Sequence, residues 1–154
     1  MVKKTKKQKF EEFKVYFPDL KDEHDYFNVP HMEELIKSSG CDVIGSLRLG
    51  SWSGDVIMVL RANNKFGLLV FGYGSCSGCD ALQACDNYKE LFDLRENRYD
   101  SVVWKEYEEF VDYLKNKDWE TEFYCAGDKK KKREIKQFVK EVKGKILMSH
   151  LSGI

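Results

Sequence analysis

Cys76, Cys79 and Cys85 fall among Gly72, Gly74 and Gly78 in one short stretch, FGYGSCSGCDALQAC, residues 71–85. Few residue types do as much chemistry as a thiol beside a flexible backbone. A C-x-x-C pair at the start of a helix lowers a thiol pKa and makes a nucleophile, which is disulfide chemistry. Thiolates separated by two intervening residues also form half of a zinc site, with Cys85, Cys125 or Cys41 as completing ligands. Gly72, Gly74, Ser75, Ser77 and Gly78 could turn N–H groups and hydroxyls toward a phosphate. The plain alternative is architectural: glycines allow close backbone approach and buried cysteines pack as small hydrophobes.

Each chemical reading lacks a part. Strand, CSGC and helix in succession resemble thioredoxin-like proteins, but both prolines, Pro18 and Pro30, lie upstream of the motif. A zinc site has no second C-x-x-C and no paired histidines, since His24, His31 and His150 are isolated. An anion site has no lysine in the turn, and Asp80 opposes it. Ser75 and Ser77 have no base at motif spacing, so a hydrolase is not indicated. No metal and no cofactor is therefore expected; Cys76, Cys79 and Cys85 would be the ligands if one were bound.

The elements that must hold this stretch are a strand and a helix. Phe66 to Phe71 is an apolar run between Asn63-Asn64 and Gly72, as suits a strand covered on both faces. Ala81, Ala84, Cys85, Tyr88, Leu91 and Phe92 share one helical face. Asp80 followed by Gln83 has capping-box spacing, which predicts a helix over 80–92 that begins directly after the cysteines.

Before the motif, residues 6–17 form a helix with Phe10, Phe13 and Phe17 on one face, stopped by Pro18. Residues 19–28 read as loop. His31–Lys37 is a short helix with Met32, Leu35 and Ile36 inward, ended by Ser38-Ser39-Gly40. Val43–Leu49 and Val56–Leu60 are strands joined through the Gly50–Gly54 turn, and Asn63-Asn64-Lys65 turns into the third strand. Links this short predict an antiparallel meander. Trp52 stands in the Gly50–Gly54 turn, either tucked on the sheet or serving as an interaction anchor.

After the motif, residues 97–100 read as loop and Ser101–Lys115 as a helix with Val103, Tyr107, Phe110, Val111 and Leu114 inward. Trp119–Cys125 alternates weakly as a fourth strand. Lys129–Val142 is a last helix, capped by Asp128 and ended by Gly144; residues 146–154 are a strand or a tail. The fold class expected is α+β: a single domain over residues 1–154, with an antiparallel sheet of three or four strands and packed amphipathic helices.

Charge is unevenly placed. Residues 1–14 carry six lysines against two glutamates, and residues 126–154 carry nine basic against three acidic residues. The ends are thus +4 and +6, and with zero net charge residues 15–125 carry −10. An acidic body repels phosphate backbones, so nucleic acid could meet only the basic ends. No apolar run reaches the roughly 18–20 residues of a membrane span. The N-terminal MVKKTKKQKF has no apolar signal core, and five cysteines are an odd count, so reduced thiols in the cytoplasm are expected.

The octamer Tyr73–Asp80, YGSCSGCD, resembles a motif of small bacteriophage-encoded proteins that carry it after a strand and before an acidic amphipathic helix. The resemblance covers about a fifth of the chain and brings no reaction with it. It implies an accessory protein in host cytoplasm that modulates or inhibits host machinery, defence systems included. The expected function is non-enzymatic binding of a protein partner through Tyr73, Gly74, Ser75, Cys76, Ser77, Gly78, Cys79 and Asp80, with Trp52 beside them. A thiol–disulfide oxidoreductase using Cys76 and Cys79 and a zinc-stabilised binding module are the alternatives.

Overall fold

A computed structural model describes residues 3–16, 32–50, 54–73, 84–85, 87–119 and 129–152. In order, the elements are α1 (Lys6–Tyr16), α2 (Met32–Lys37), β1 (Asp42–Gly50), β2 (Gly54–Ala62), β3 (Lys65–Tyr73), α3 (Tyr88–Ser101), α4 (Tyr107–Asn116) and α5 (Lys129–Leu151). The strands form an antiparallel sheet in the order β1-β2-β3, so the fold is α+β and the meander is as the short links require.

The sheet follows from its apolar pattern and its turns. Val56 to Leu60 are buried without interruption, so β2 is covered on both faces. Ala62 pairs with Lys65 across Asn63-Asn64, both at positive φ (52° and 64°). A two-residue link with both residues left-handed matches the strand twist, and asparagine tolerates that conformation. In β1 the register with β2 slips between Val43 and Gly45. This bulge puts Val43 with one side of the core while Ile44 and Leu47 go to the other.

Helices cover both faces. On one, Val56, Met58, Leu60, Leu69 and Phe71 meet Phe13 of α1, Leu35 and Ile36 of α2, and Leu91 and Phe92 of α3. On the other, Leu49, Ile57, Val59 and Phe66 meet Phe110 and Leu114 of α4 and Phe138, Val142 and Ile146 of α5. Residues 102–106 carry the chain from one face to the other. Phe66 and Lys105 exchange two backbone hydrogen bonds of 2.8 Å at this crossing. A Cβ on Gly67 would stand 2.2 Å from Val102 Cγ1 and 3.1 Å from the Trp104 ring, so the crossing segment lies directly on the strand.

Helix boundaries differ from expectation in several places. The helix after the motif begins at Tyr88, not at Asp80, and Ala84 and Cys85 lie outside it. Asn87 is the cap: its Oδ1 accepts from the Glu90 N–H at 2.9 Å. Two cap-like residues precede the same apolar face, and the later one starts the described helix. Residues 97–100, expected as loop, continue α3, because Arg95 packs inward from it and no Gly or Pro interrupts the turn. The helix expected over Ser101–Lys115 is shorter: Ser101 closes α3 and α4 starts at Tyr107. Val102, Val103 and Trp104 run extended over Gly67, and Val103, expected inward, is 66% exposed. Gly144 does not end α5, which runs to Leu151, so residues 146–151 are helix. Burial of Val142 and Ile146 on either side outweighs the ~1 kcal/mol that a glycine costs in a helix. Of the fourth strand, Trp119 is in a turn and residues 120–125 lie outside the described residues.

Candidate functional site

The expected site begins where β3 ends. Tyr73 is buried, and its hydroxyl donates to the Leu49 carbonyl at 3.0 Å. The Arg48 guanidinium lies 3.9 Å from the centre of its ring, a cation–π contact across the sheet. Tyr73 is thus an anchor that fixes the end of β3 against β1, and its side chain belongs to the core. Gly74, Ser75, Cys76, Ser77, Gly78, Cys79 and Asp80 lie outside the described residues, as does Trp52.

What the structure does bring together is the backbone from which these residues depart. Gly54 pairs with Tyr73 on one side and with Gly50 on the other. The link that carries Trp52 and the stretch that carries the octamer therefore leave the sheet at the same end, from neighbouring strands. The glycines there are required by shape: Gly50 has φ 96°, and a Cβ on Gly54 would stand 1.9 Å from the Leu49 carbonyl oxygen.

Asp55, next along β2, faces the opposite side of the sheet from Tyr73. Partial burial raises its carboxyl pKa above the ordinary value, and the Lys131 ammonium pulls against that rise. Cys85 is buried in the same core cluster as Tyr73, so its core placement is as expected although it stands outside the helix. Cys41 is a free, buried thiol that donates to the Ile36 carbonyl at 3.4 Å. Burial pushes the Cys41 pKa up, against the lowering effect of the Ser39 hydroxyl. It is a packed thiol, not an activated one. Among the described residues no three His, Cys, Asp or Glu side chains come together as metal ligands would.

Three features were not singled out by sequence reasoning. Arg95 is buried in α3, donating to Ser38 O at 3.1 Å and to Glu96 Oε1 at 2.9 Å, with the Phe13 and Phe92 rings 5.0 and 5.1 Å away. It lines a cavity of about 300 Å³ between α1, α3 and the end of α2, with Lys9, Glu12 and Tyr99. The charges there pair with one another: Lys4 with Glu12 at 2.8 Å and Lys9 with Glu96 at 3.7 Å. Arg61 is buried at the end of β2 and donates to the Ser149 carbonyl and hydroxyl and to Asn64 Oδ1. An arginine at an inward position of VIMVLRA was the available signal for it. Last, Leu147, Met148 and Leu151 are 41%, 68% and 70% exposed near the end of α5. Their exposure became visible only once residues 146–151 were known to be helical.

No protein-family model matches this chain, no curated protein matches it, and no solved structure matches it. No helix among the described residues is long and apolar enough to cross a membrane.

Proposed function

We propose that this chain is a non-enzymatic protein-binding accessory module, phage-encoded and acting in host cytoplasm to modulate host machinery such as a defence system. Its recognition surface is the end of the sheet from which the Trp52 link and the Gly74–Asp80 stretch depart. The observation that carries this reading is the register Gly50–Gly54–Tyr73, which gives both segments one origin on adjacent strands. Tyr73 supports it by tying that end to the Leu49 carbonyl, since a surface mounted on a rigid strand end loses less entropy on binding than one on a free loop. Trp52 is of a residue type enriched at the hot spots of protein interfaces.

The test is a pull-down from host-cell lysate with the parent chain and with Trp52→Ala and Ser77→Arg. Both variants should lose the partner while keeping the parent's unfolding midpoint. A partner retained by both variants would remove this surface from consideration. Disulfide turnover that requires Cys76 and Cys79 together would make the protein an oxidoreductase instead.

A further inference from the structure

α5 runs alongside β2 in the same direction, and three approaches fix its level. Lys131 lies close enough to Asp55, at the start of β2, to act on its carboxyl. Val142 and Phe138 lie over Gly45 of β1, where a Cβ would stand 3.1 and 3.5 Å from them. Arg61, near the far end of β2, holds Ser149. The first turns of α5 therefore sit at the end of the sheet that holds Gly50, Gly54 and Tyr73. The acidic α4 begins at the opposite end, where Tyr107 stacks on His150 with ring centres 4.1 Å apart.

These first turns are strongly basic. Residues 129–136, KKKKREIK, carry six bases and one acid, the half-buried Glu134. Ile135, Phe138 and Val142 are buried on the sheet, so Arg133, Lys136 and Lys140 point outward and are exposed. Their spacing puts them on one stripe about 10 Å long. Among the described residues none of the three takes part in an ion pair or a hydrogen bond. Glu141, next in the helix, accepts from Gln137 at 2.8 Å. On the other face of the sheet, exposed Arg48 holds its guanidinium over the Tyr73 ring and extends the positive rim of this end. No acid stands in the first turn of α5 to offset the positive end of its dipole. Bases crowded there cost the helix stability, and an anionic surface laid against them relieves that cost.

From this arrangement we infer that the protein partner is acidic where it meets this chain, and that Arg133, Lys136 and Lys140 receive its carboxylates. The inference rests on the recognition surface proposed above, which lies at the same end of the sheet. A protein surface suits the stripe better than nucleic acid does. A duplex carries one negative charge for about every 1.7 Å of its length. It would run past so short a stripe onto residues 15–125, which carry −10. A protein surface with a few carboxylates ends where the stripe ends. Opposite charges facing one another within a screening length speed the encounter and fix its orientation.

The experiment is fluorescence anisotropy of a labelled polyglutamate peptide titrated with the full chain. Binding is expected at low salt. It should weaken about tenfold or more as salt rises from about 0.01 to 0.15 M, which shortens the screening length from about 30 to about 8 Å. R133E/K136E/K140E should weaken it about tenfold or more at low salt. K89E/K115E/K145E changes the net charge equally but away from the stripe, and should weaken it less than about threefold. All six side chains are exposed, so circular dichroism should show an unchanged fold. Polyglutamate left unbound, or bound equally by the two triple variants, overturns the inference. So does a DNA duplex of equal charge that binds the parent more tightly and is lost in R133E/K136E/K140E. The lysate pull-down separates this inference from the surface it rests on. A partner lost in Trp52→Ala but kept in R133E/K136E/K140E overturns the acidic partner and leaves the recognition surface standing. A partner kept by Trp52→Ala and Ser77→Arg but lost in R133E/K136E/K140E removes that surface and supports the acid-binding stripe.

Discussion

The two helical layers cover the same small sheet but treat charge in opposite ways. In the α1–α3 layer the charges interleave: Lys6 faces Asp93 at 3.8 Å, Lys9 faces Glu96 at 3.7 Å, and Arg95 is buried beneath them. Each helix brings both signs, and the seam between them is closed by its own pairs. In the α4–α5 layer the signs are sorted by helix, acidic on one and basic on the other, and an apolar end is left exposed. Exposed pairs contribute little stability, typically ~0–1 kcal/mol, so this difference hardly changes how firmly either layer is held. It changes where the pairing partners come from: the α1–α3 seam pairs across its two helices, whereas the acids of α4 pair off the layer or one turn along, Glu106 with Lys65 of β3 at 3.9 Å and Glu109 with Lys105 at 3.3 Å.

Each layer makes its own apolar contact with the sheet. Phe92→Ala and Phe110→Ala test this directly. Phe92 is on the α1–α3 side and Phe110 on the other, and both are essentially inaccessible. Each should cost about 3–5 kcal/mol in denaturant unfolding. Because the sheet separates them, the double variant should equal the sum within about 0.5 kcal/mol. A large coupling would show that the two cores act as one and would break the comparison.

A smaller effect is expected where the layers join. Gly67→Ala places a methyl 2.2 Å from Val102 Cγ1, so residues 102–104 must lift from β3. Overpacking of this kind costs typically 1–3 kcal/mol. Amide exchange at Lys105 and Phe66, whose backbone bonds clamp the crossing, should accelerate with it. An unchanged midpoint with unchanged exchange would mean the crossing does not tie one layer to the other. Smaller again is the cap of α3. Asn87→Ala should cost about 1 kcal/mol. Asp80→Ala should cost less, since Asn87 holds the Glu90 N–H. The reverse order, read by thermal unfolding of both variants, would return the helix start to Asp80.

That cap also marks how far the sequence could be read. The strands were legible because their apolar runs stop at Asn63-Asn64 and at glycines, and both signals act locally. That Val43 and Leu47 lie on opposite sides was not, since the bulge between Val43 and Gly45 is a property of pairing. Asp80 and Asn87 each precede a plausible first turn, and only packing chooses between them. Val102 to Trp104 have side chains suited to a buried helix face or to an extended run, and Gly67 beneath them favours the extended run. Gly144 is a stop signal by propensity, overridden by Ile146, whose burial depends on the sheet. At the candidate site, Tyr73 was legible as the strand's end, but its hydrogen bond to Leu49 joins residues far apart in sequence. The basic end was legible as composition. Its sorting onto one outward face, opposite an acidic neighbour, was not.

The smallest predicted effect lies where the basic helix meets the sheet. Burial raises the Asp55 carboxyl pKa, with Lys131 opposing the rise. A folded value above the unfolded one means that the folded chain holds the proton more tightly. Asp55 therefore contributes most to stability below the ordinary aspartate value of about 3.9, and that contribution is lost as pH rises through the folded value. At neutral pH the charged, half-buried carboxylate is a net cost, so Asp55→Asn should raise the urea midpoint at pH 7. The gain should shrink toward zero near pH 3, where the parent's own carboxyl is protonated. Lys131→Met should enlarge the gain from Asp55→Asn at pH 7 by removing the compensating charge. A gain that is the same at both pH values would trace the effect to amide packing instead of charge. A loss at pH 7 would mean that the Lys131 attraction outweighs burial, and that the basic helix is held to the sheet by charge as well as by its apolar face.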